Sequence, residues 1–119
     1  MNFDFSDDAK ALGEQAQKLF AEKSGTTRAR AAMAKDAPAF DAALYAEIAS
    51  LGWTAARVPE ARGGLGLSAE ESCMLAEAAG AHLAAVPLVS VLLATEALLL
   101  AGSEAQMAKY LPGIADGSL

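Results

Sequence analysis

The chain is poor in the residue types on which most catalytic and metal chemistry depends. It has a single cysteine, Cys73, so no intrachain disulfide can close, and a reducing, cytoplasmic setting is the expectation. It has a single histidine, His82, and one histidine with one cysteine cannot supply a four-ligand zinc site. No serine sits in a Gly-x-Ser-x-Gly elbow, and His82 has no acid close to it in sequence, so no nucleophile–base–acid arrangement is visible. Basic residues are outnumbered by acidic ones, 9 to 15, for a net charge of −6; a nucleic-acid binder shows the opposite field. Four of the basic residues, Lys23, Arg28, Arg30 and Lys35, fall in one stretch, which reads as a solvated connector. The N-terminus, Met-Asn-Phe-Asp-Phe-Ser-Asp-Asp, is acidic where a signal peptide is basic. A long apolar run is missing too. The stretch Leu83–Thr95 carries no charge, but Glu96 interrupts it well before the roughly 20 residues of a membrane span. No membrane span is therefore expected.

What remains is rich in alanine and leucine, 54% hydrophobic and only 6% aromatic, a composition that favours helices over strands. At 119 residues it suits one domain. Ser6 is a good N-cap for a first helix from Asp7 to about Glu22, with Asp7 and Asp8 at the positive end of the helix dipole. Leu12, Ala16, Leu19 and Phe20 make its apolar stripe, and Phe3 and Phe5 are expected to pack under its first turn. Ser24-Gly25-Thr26-Thr27 breaks it, Arg28–Lys35 has room for a short helical turn, and Pro38 resets the chain. A second helix is expected over about Phe40–Leu51, on the stripe Phe40, Leu44, Ile48 and Leu51, with Gly52 just beyond its end.

Residues Trp53–Leu67 hold a proline and three clustered glycines and read as a loop. A third helix starts at Ser68, where Ser-Ala-Glu-Glu has the capping-box spacing; Leu75, Ala78 and Ala79 form its apolar face. A fourth starts near Pro87 and runs to about Ala101, apolar nearly all round, so it must be covered by its own bundle or by a partner domain. A fifth opens with Ser103-Glu104-Ala105-Gln106 and is expected to stop at Pro112-Gly113 after Leu111, leaving the tail from Ile114 to Leu119 with nothing to pack on. The fold class is all-α, an orthogonal or up-down bundle of about five helices.

Two motifs hint at chemistry and yield simpler explanations. The pairs Asp7/Asp8 and Glu70/Glu71 lie in first turns, where capping and the dipole account for them. Gly63-Gly64-Leu65-Gly66 lacks the Gly-Lys-Ser/Thr of a phosphate loop and leads into two glutamates that would repel an anion; it reads as a tight turn.

Three landmarks stand in order: Ala-Ser-Leu-Gly-Trp (Ala49–Trp53), Val-Pro-Glu-Ala-Arg-Gly-Gly-Leu-Gly-Leu (Val58–Leu67), and the stretch Leu98–Gly117 with Leu-Ala-Gly-Ser-Glu near its start. With Phe-Asp-Phe-Ser-Asp-Asp at the N-terminus, their order and spacing resemble the N-terminal helical domain of the acyl-CoA dehydrogenase family, across essentially the whole chain. The resemblance implies a parent in which residues 1–119 precede a flavin-binding β-domain and a C-terminal helical domain, both outside this chain. It implies FAD as cofactor, an acyl-CoA substrate in fatty-acid or related lipid metabolism, electron-transferring flavoprotein as partner and a homo- or hetero-oligomer. The catalytic glutamate and most flavin contacts fall beyond this domain in the family. No catalytic residue is carried over, the cofactor-binding residues stay unassigned, and the chain by itself is expected to be inactive. What carries over is a wall of the acyl pocket: aligning on Leu100–Gly102 places Val89, Ser90 and Leu93 at pocket-lining positions, with Val89 and Leu93 sharing a helix face. Two departures, Arg62 where relatives often carry an aromatic or histidine, and the absence of a basic residue in Gly80–Pro87, leave straight-chain, branched, steroid and aromatic acyl groups all open. Two other readings stand beside this one: a related flavin oxidase or monooxygenase, and a non-catalytic helical module or subunit that pairs with a flavin-bearing chain.

Overall fold

The computed structural model describes residues 3–119. Among them are six α-helices, two short 3-10 turns and no strand. The helices are α1 (Asp7–Lys23), α2 (Thr26–Ala32), α3 (Ala42–Ser50), α4 (Ala69–Ala81), α5 (Leu88–Ala101) and α6 (Glu104–Ala115). The chain forms two compact units, one from the residues up to Phe40 with Ala69–Ala85, the other from Asp41–Ser68 with Val86–Leu119.

In the first unit α1 packs along α4. The Ser6 hydroxyl accepts the Ala9 N–H at 3.1 Å and so caps α1 as its sequence predicts. Ala9, Ala16 and Phe20 of α1 and Leu75, Ala78 and Ala79 of α4 are buried. Gly13 faces Met74 of α4, and a side-chain methyl there would lie 3.5 Å from Met74 Cβ, an ordinary contact, so this approach does not depend on glycine. The expectation that Phe3 and Phe5 pack under the first turn fails: they are 89% and 48% exposed. That region is instead tied by polar groups, with the Glu70 carboxylate accepting the Ser6 N–H at 3.0 Å and Lys10 paired with Asp4. The stretch expected to hold at most a helical turn contains α2, which has no buried residue.

In the second unit Asp41, not Phe40, begins the helix: its carboxylate accepts the Leu44 N–H at 3.0 Å and caps α3. Phe40 therefore lies outside α3, and it and Leu51 are partly exposed at the two ends of the expected stripe, while Leu44, Tyr45 and Ile48 are buried. Gly52 takes φ +78°, the left-handed conformation a helix end favours. The first 3-10 turn, Trp53–Ala55, is wholly buried. Ala55 and Val58 form a core with Leu111 and Ile114 of α6, ringed by Val91, Leu98, Leu99, Met107 and Ala115.

Two expectations about α6 are corrected. Ser103 and Gln106 form the complete capping box, but the helix does not stop at Leu111. It runs through Pro112 to Ala115, which places Ile114 in the core at 3% exposure. A proline inside a helix costs about 3 kcal/mol; burying an Ile side chain returns about 1.5–3 kcal/mol, and Pro112 still offers its carbonyl to the Asp116 N–H at 3.0 Å. Nor is the tail without contacts, since the Tyr45 hydroxyl donates to the Leu119 carbonyl at 3.3 Å and the Gly117 backbone runs against Ala49. No helix among the described residues is long and apolar enough to cross a membrane.

Candidate functional site: the outer face of α5

Apolar throughout except for Thr95, Ser90 and Glu96, α5 buries only one side. Leu88, Leu92 and Thr95 point inward and are buried, with the Thr95 hydroxyl donating to the Val91 carbonyl at 2.9 Å. The opposite side is open. Val89, Leu93 and Leu100 are 51%, 65% and 84% exposed and follow one another, with Glu96 among them, at i, i+4, i+7 and i+11. Ser90 belongs to the adjacent row, with the exposed small residues Ala94, Ala97 and Ala101. The structure thus gathers Val89, Ser90 and Leu93 on one outward surface, with Val89 and Leu93 in line. A helix of this composition with a dry, uncovered side is built to be covered.

One feature of this surface escaped the sequence reading. Glu96 is the sole charged residue on α5, and its carboxylate accepts from Nε of Arg57, whose Nη1 donates to the Leu67 carbonyl. The ion pair is partly sheltered, its side chains 25% and 33% exposed. The available signal was the lone carboxylate on an otherwise apolar helix, which calls for a counter-charge. Nothing in the sequence says that the partner lies 39 residues earlier.

The loop before α4 is folded back on the first 3-10 turn. Leu65, Gly66 and Leu67 donate their backbone N–H groups to the carbonyls of Ala55, Val58 and Ala56 at 3.1, 2.9 and 2.7 Å. Gly63 and Gly64 donate to Glu60 and Pro59. All five consecutive N–H groups are therefore spent inside the loop, and none is left to hold a phosphate. Only glycine fits at position 64, where a side-chain methyl would stand 2.0 Å from the Val58 carbonyl oxygen. The glycine-rich loop thus offers no free N–H cradle for a pyrophosphate. Arg62 reaches the Glu104 carboxylate at 2.6 Å, which ties the loop to the start of α6.

The other candidate chemistry resolves into structure. The ring Nε2 of His82 lies 2.7 Å from Oε1 of Gln17, and the His82 carbonyl accepts the Gly25 N–H at 3.0 Å, so this residue clasps the end of α4 to α1 and its exit. Cys73 is exposed. Among the described residues no group of three or more His, Cys, Asp or Glu side chains is placed to hold a metal ion. An open cleft of about 250 Å³ between α1 and α4 is lined by Lys10, Gly13, Glu14, Gln17, Met74 and Glu77. The groups with displaced pKa values do not converge on any site. The Lys10 hydrogen bond and charge hold Asp4 below the ordinary carboxylate range, hydrogen bonds from Ser118 do the same for Asp116, and burial raises Tyr45.

Among the described residues the domain is all-helical, with one apolar helix face left exposed. The chain belongs to the acyl-CoA dehydrogenase family: residues 6–118 match the model of its N-terminal domain. It is 41% identical over 75 residues, 62% of its length, to benzylmalonyl-CoA dehydrogenase of Aromatoleum aromaticum strain DSM 19018 / LMG 30748 / EbN1. Among solved structures it is similar to a variant of the Tcur3481–Tcur3483 steroid acyl-CoA dehydrogenase, at 34% identity and a TM-score of 0.83 over 94% of the chain. The ChsE4–ChsE5 complex from Mycobacterium tuberculosis, at 24% identity and a TM-score of 0.75 over the whole chain, shares the fold. The matched stretches span 19% of the benzylmalonyl-CoA dehydrogenase and 30% of each structure's chain.

Proposed function

We propose that this chain is the N-terminal helical domain of a FAD-dependent acyl-CoA dehydrogenase, and that the outer face of α5 walls the acyl pocket through Val89, Ser90 and Leu93. The observation that carries the reading is the uncovered apolar row on α5 in a chain of this family. The reaction is the α,β-dehydrogenation of an acyl-CoA thioester, in which FAD accepts hydride. The catalytic base and the flavin cradle belong to a β-domain and a C-terminal helical domain outside residues 1–119. The role of the present residues is to exclude water from the acyl chain and to bound its shape. Electron-transferring flavoprotein takes up the electrons, and the cytoplasm is the working compartment.

The relatives' names favour a ring-bearing acyl group: one acts on a benzylmalonyl thioester and another is described as a steroid enzyme. The open α5 surface, with small residues at 90, 94, 97 and 101 beside Val89 and Leu93, suits a broad ring better than a narrow alkyl chain. Assembly with a second subunit follows from the same family; one relative is itself a two-component complex.

The test is Leu93→Trp in the FAD-bearing holoenzyme, with kcat/KM measured across a series of acyl-CoA esters. Filling the wall should cut kcat/KM for the bulkiest ester by about tenfold or more and spare the smallest, since each methylene in a pocket is worth about 1–3 kcal/mol. An unchanged substrate profile refutes the pocket role.

A further inference from the structure

Glu96 lies in the same outward row as Val89, Leu93 and Leu100. An unpaired carboxylate there would hold water over the two apolar residues beside it and would oppose any anionic ester approaching the face. The carboxylate is not unpaired. We infer that Arg57 is a positioning residue for this wall: it neutralises Glu96 and holds its carboxylate toward the Leu67 end of the loop, so that the outer row of α5 is presented as an apolar surface.

The guanidinium is well placed for that task. Its two donors engage Glu96 and the Leu67 carbonyl from one planar fork, which fixes the direction of the carboxylate as well as its charge. The backbone that carries Arg57 is anchored on both sides, by Ala56 and Val58, which are fully buried, and by the hydrogen bond from Leu67 to Ala56 at 2.7 Å. A lysine in this position would neutralise the charge but lacks the fork. Removal of the cation leaves a negative charge on the wall, whereas removal of both charges leaves the wall neutral. This opposite response separates a positioning role from a merely stabilising ion pair.

The inference rests on the acyl-pocket reading, but its test does not need turnover. Titration of the 119-residue chain with Nile red, an uncharged apolar dye, reports the dryness of the face, and thermal unfolding of each variant is followed alongside. Arg57→Met is expected to weaken dye binding by about tenfold, below the loss for a fully buried charge stripped of its partner, because Glu96 keeps a third of its side chain in water. Glu96→Gln alone is expected to leave binding unchanged, and the double variant Arg57→Met with Glu96→Gln to restore it. Arg57→Lys, which keeps the charge balanced but lacks the fork, should lose less than Arg57→Met. A double variant that binds as weakly as Arg57→Met overturns the inference, as does Glu96→Gln or Arg57→Lys that loses as much as Arg57→Met. In the holoenzyme the same pattern should appear in the KM for acyl-CoA with kcat unchanged. The dye pattern without any acyl-CoA binding would leave the role of Arg57 standing and remove the pocket reading.

Discussion

Substituting alanine at two glycines should move stability in opposite directions, and the structure gives the size of each change. At Gly64 the added methyl would stand 2.0 Å from the Val58 carbonyl oxygen and 2.4 Å from Val58 Cβ, and Val58 is fully buried. The obstacle includes backbone, so the loop has to move away. The hydrogen bonds at risk are those from Leu65, Gly66 and Leu67 to Ala55, Val58 and Ala56. At about 1 kcal/mol net for each bond, Gly64→Ala should cost about 3 kcal/mol. At Gly80, within α4, a methyl meets nothing within 4 Å, and the gain is that of alanine over glycine in a helix, about 0.5–1 kcal/mol. Gly63 separates the two causes: it has φ +85° and empty space around it, so alanine there should cost only the left-handed strain of about 1–2 kcal/mol. Urea unfolding followed by circular dichroism would give the three values, and in thermal melts each kcal/mol corresponds to about 4 °C for a chain of this size. A Gly64→Ala variant that loses less than Gly63→Ala would mean that the loop is not seated against Val58, and the reasoning about its spent N–H groups would fall with it.

The raised pKa of Tyr45 sets an alkaline limit. Its folded pKa lies above the unfolded value because burial disfavours the phenolate, so its contribution is complete below about pH 10 and is lost as pH climbs through the folded pKa. Tyr45→Phe should flatten that alkaline fall in stability, and a pH series of melts in which parent and variant decline together would contradict it. The uncovered row on α5 should also make the isolated chain self-associate; sedimentation analysis should show a reversible dimer or larger species at high concentration, returned to monomer by Leu93→Asp, and a monomer at all concentrations would show that the face tolerates water. Since the glycine loop spends its N–H groups internally, the chain alone should bind FAD weakly, and titration calorimetry giving micromolar or tighter affinity would contradict that account.

The features legible from sequence are those whose cause lies within one helical turn. The Ser6 cap, the Ser103–Gln106 capping box, the left-handed Gly52 and the extent of α5 are each determined by residues three or four apart, and each appears where local chemistry puts it. The exposed side of α5 was partly legible too: a helix with no charged face over three turns has to be covered from more than one direction. Which rows face outward was not, because an evenly apolar helix carries no periodic signal to orient it. Tertiary structure decided that, through Ala55, Val58 and α6, which take the inner side. It also carried α6 through Pro112, where burial of Ile114 offset much of the cost of a local stop signal, and paired Arg57 with Glu96, Ser6 with Glu70, and Gln17 with His82 across 39, 64 and 65 residues. Those pairings depend on how distant segments are brought together by packing, and no spacing within a single helix can encode them.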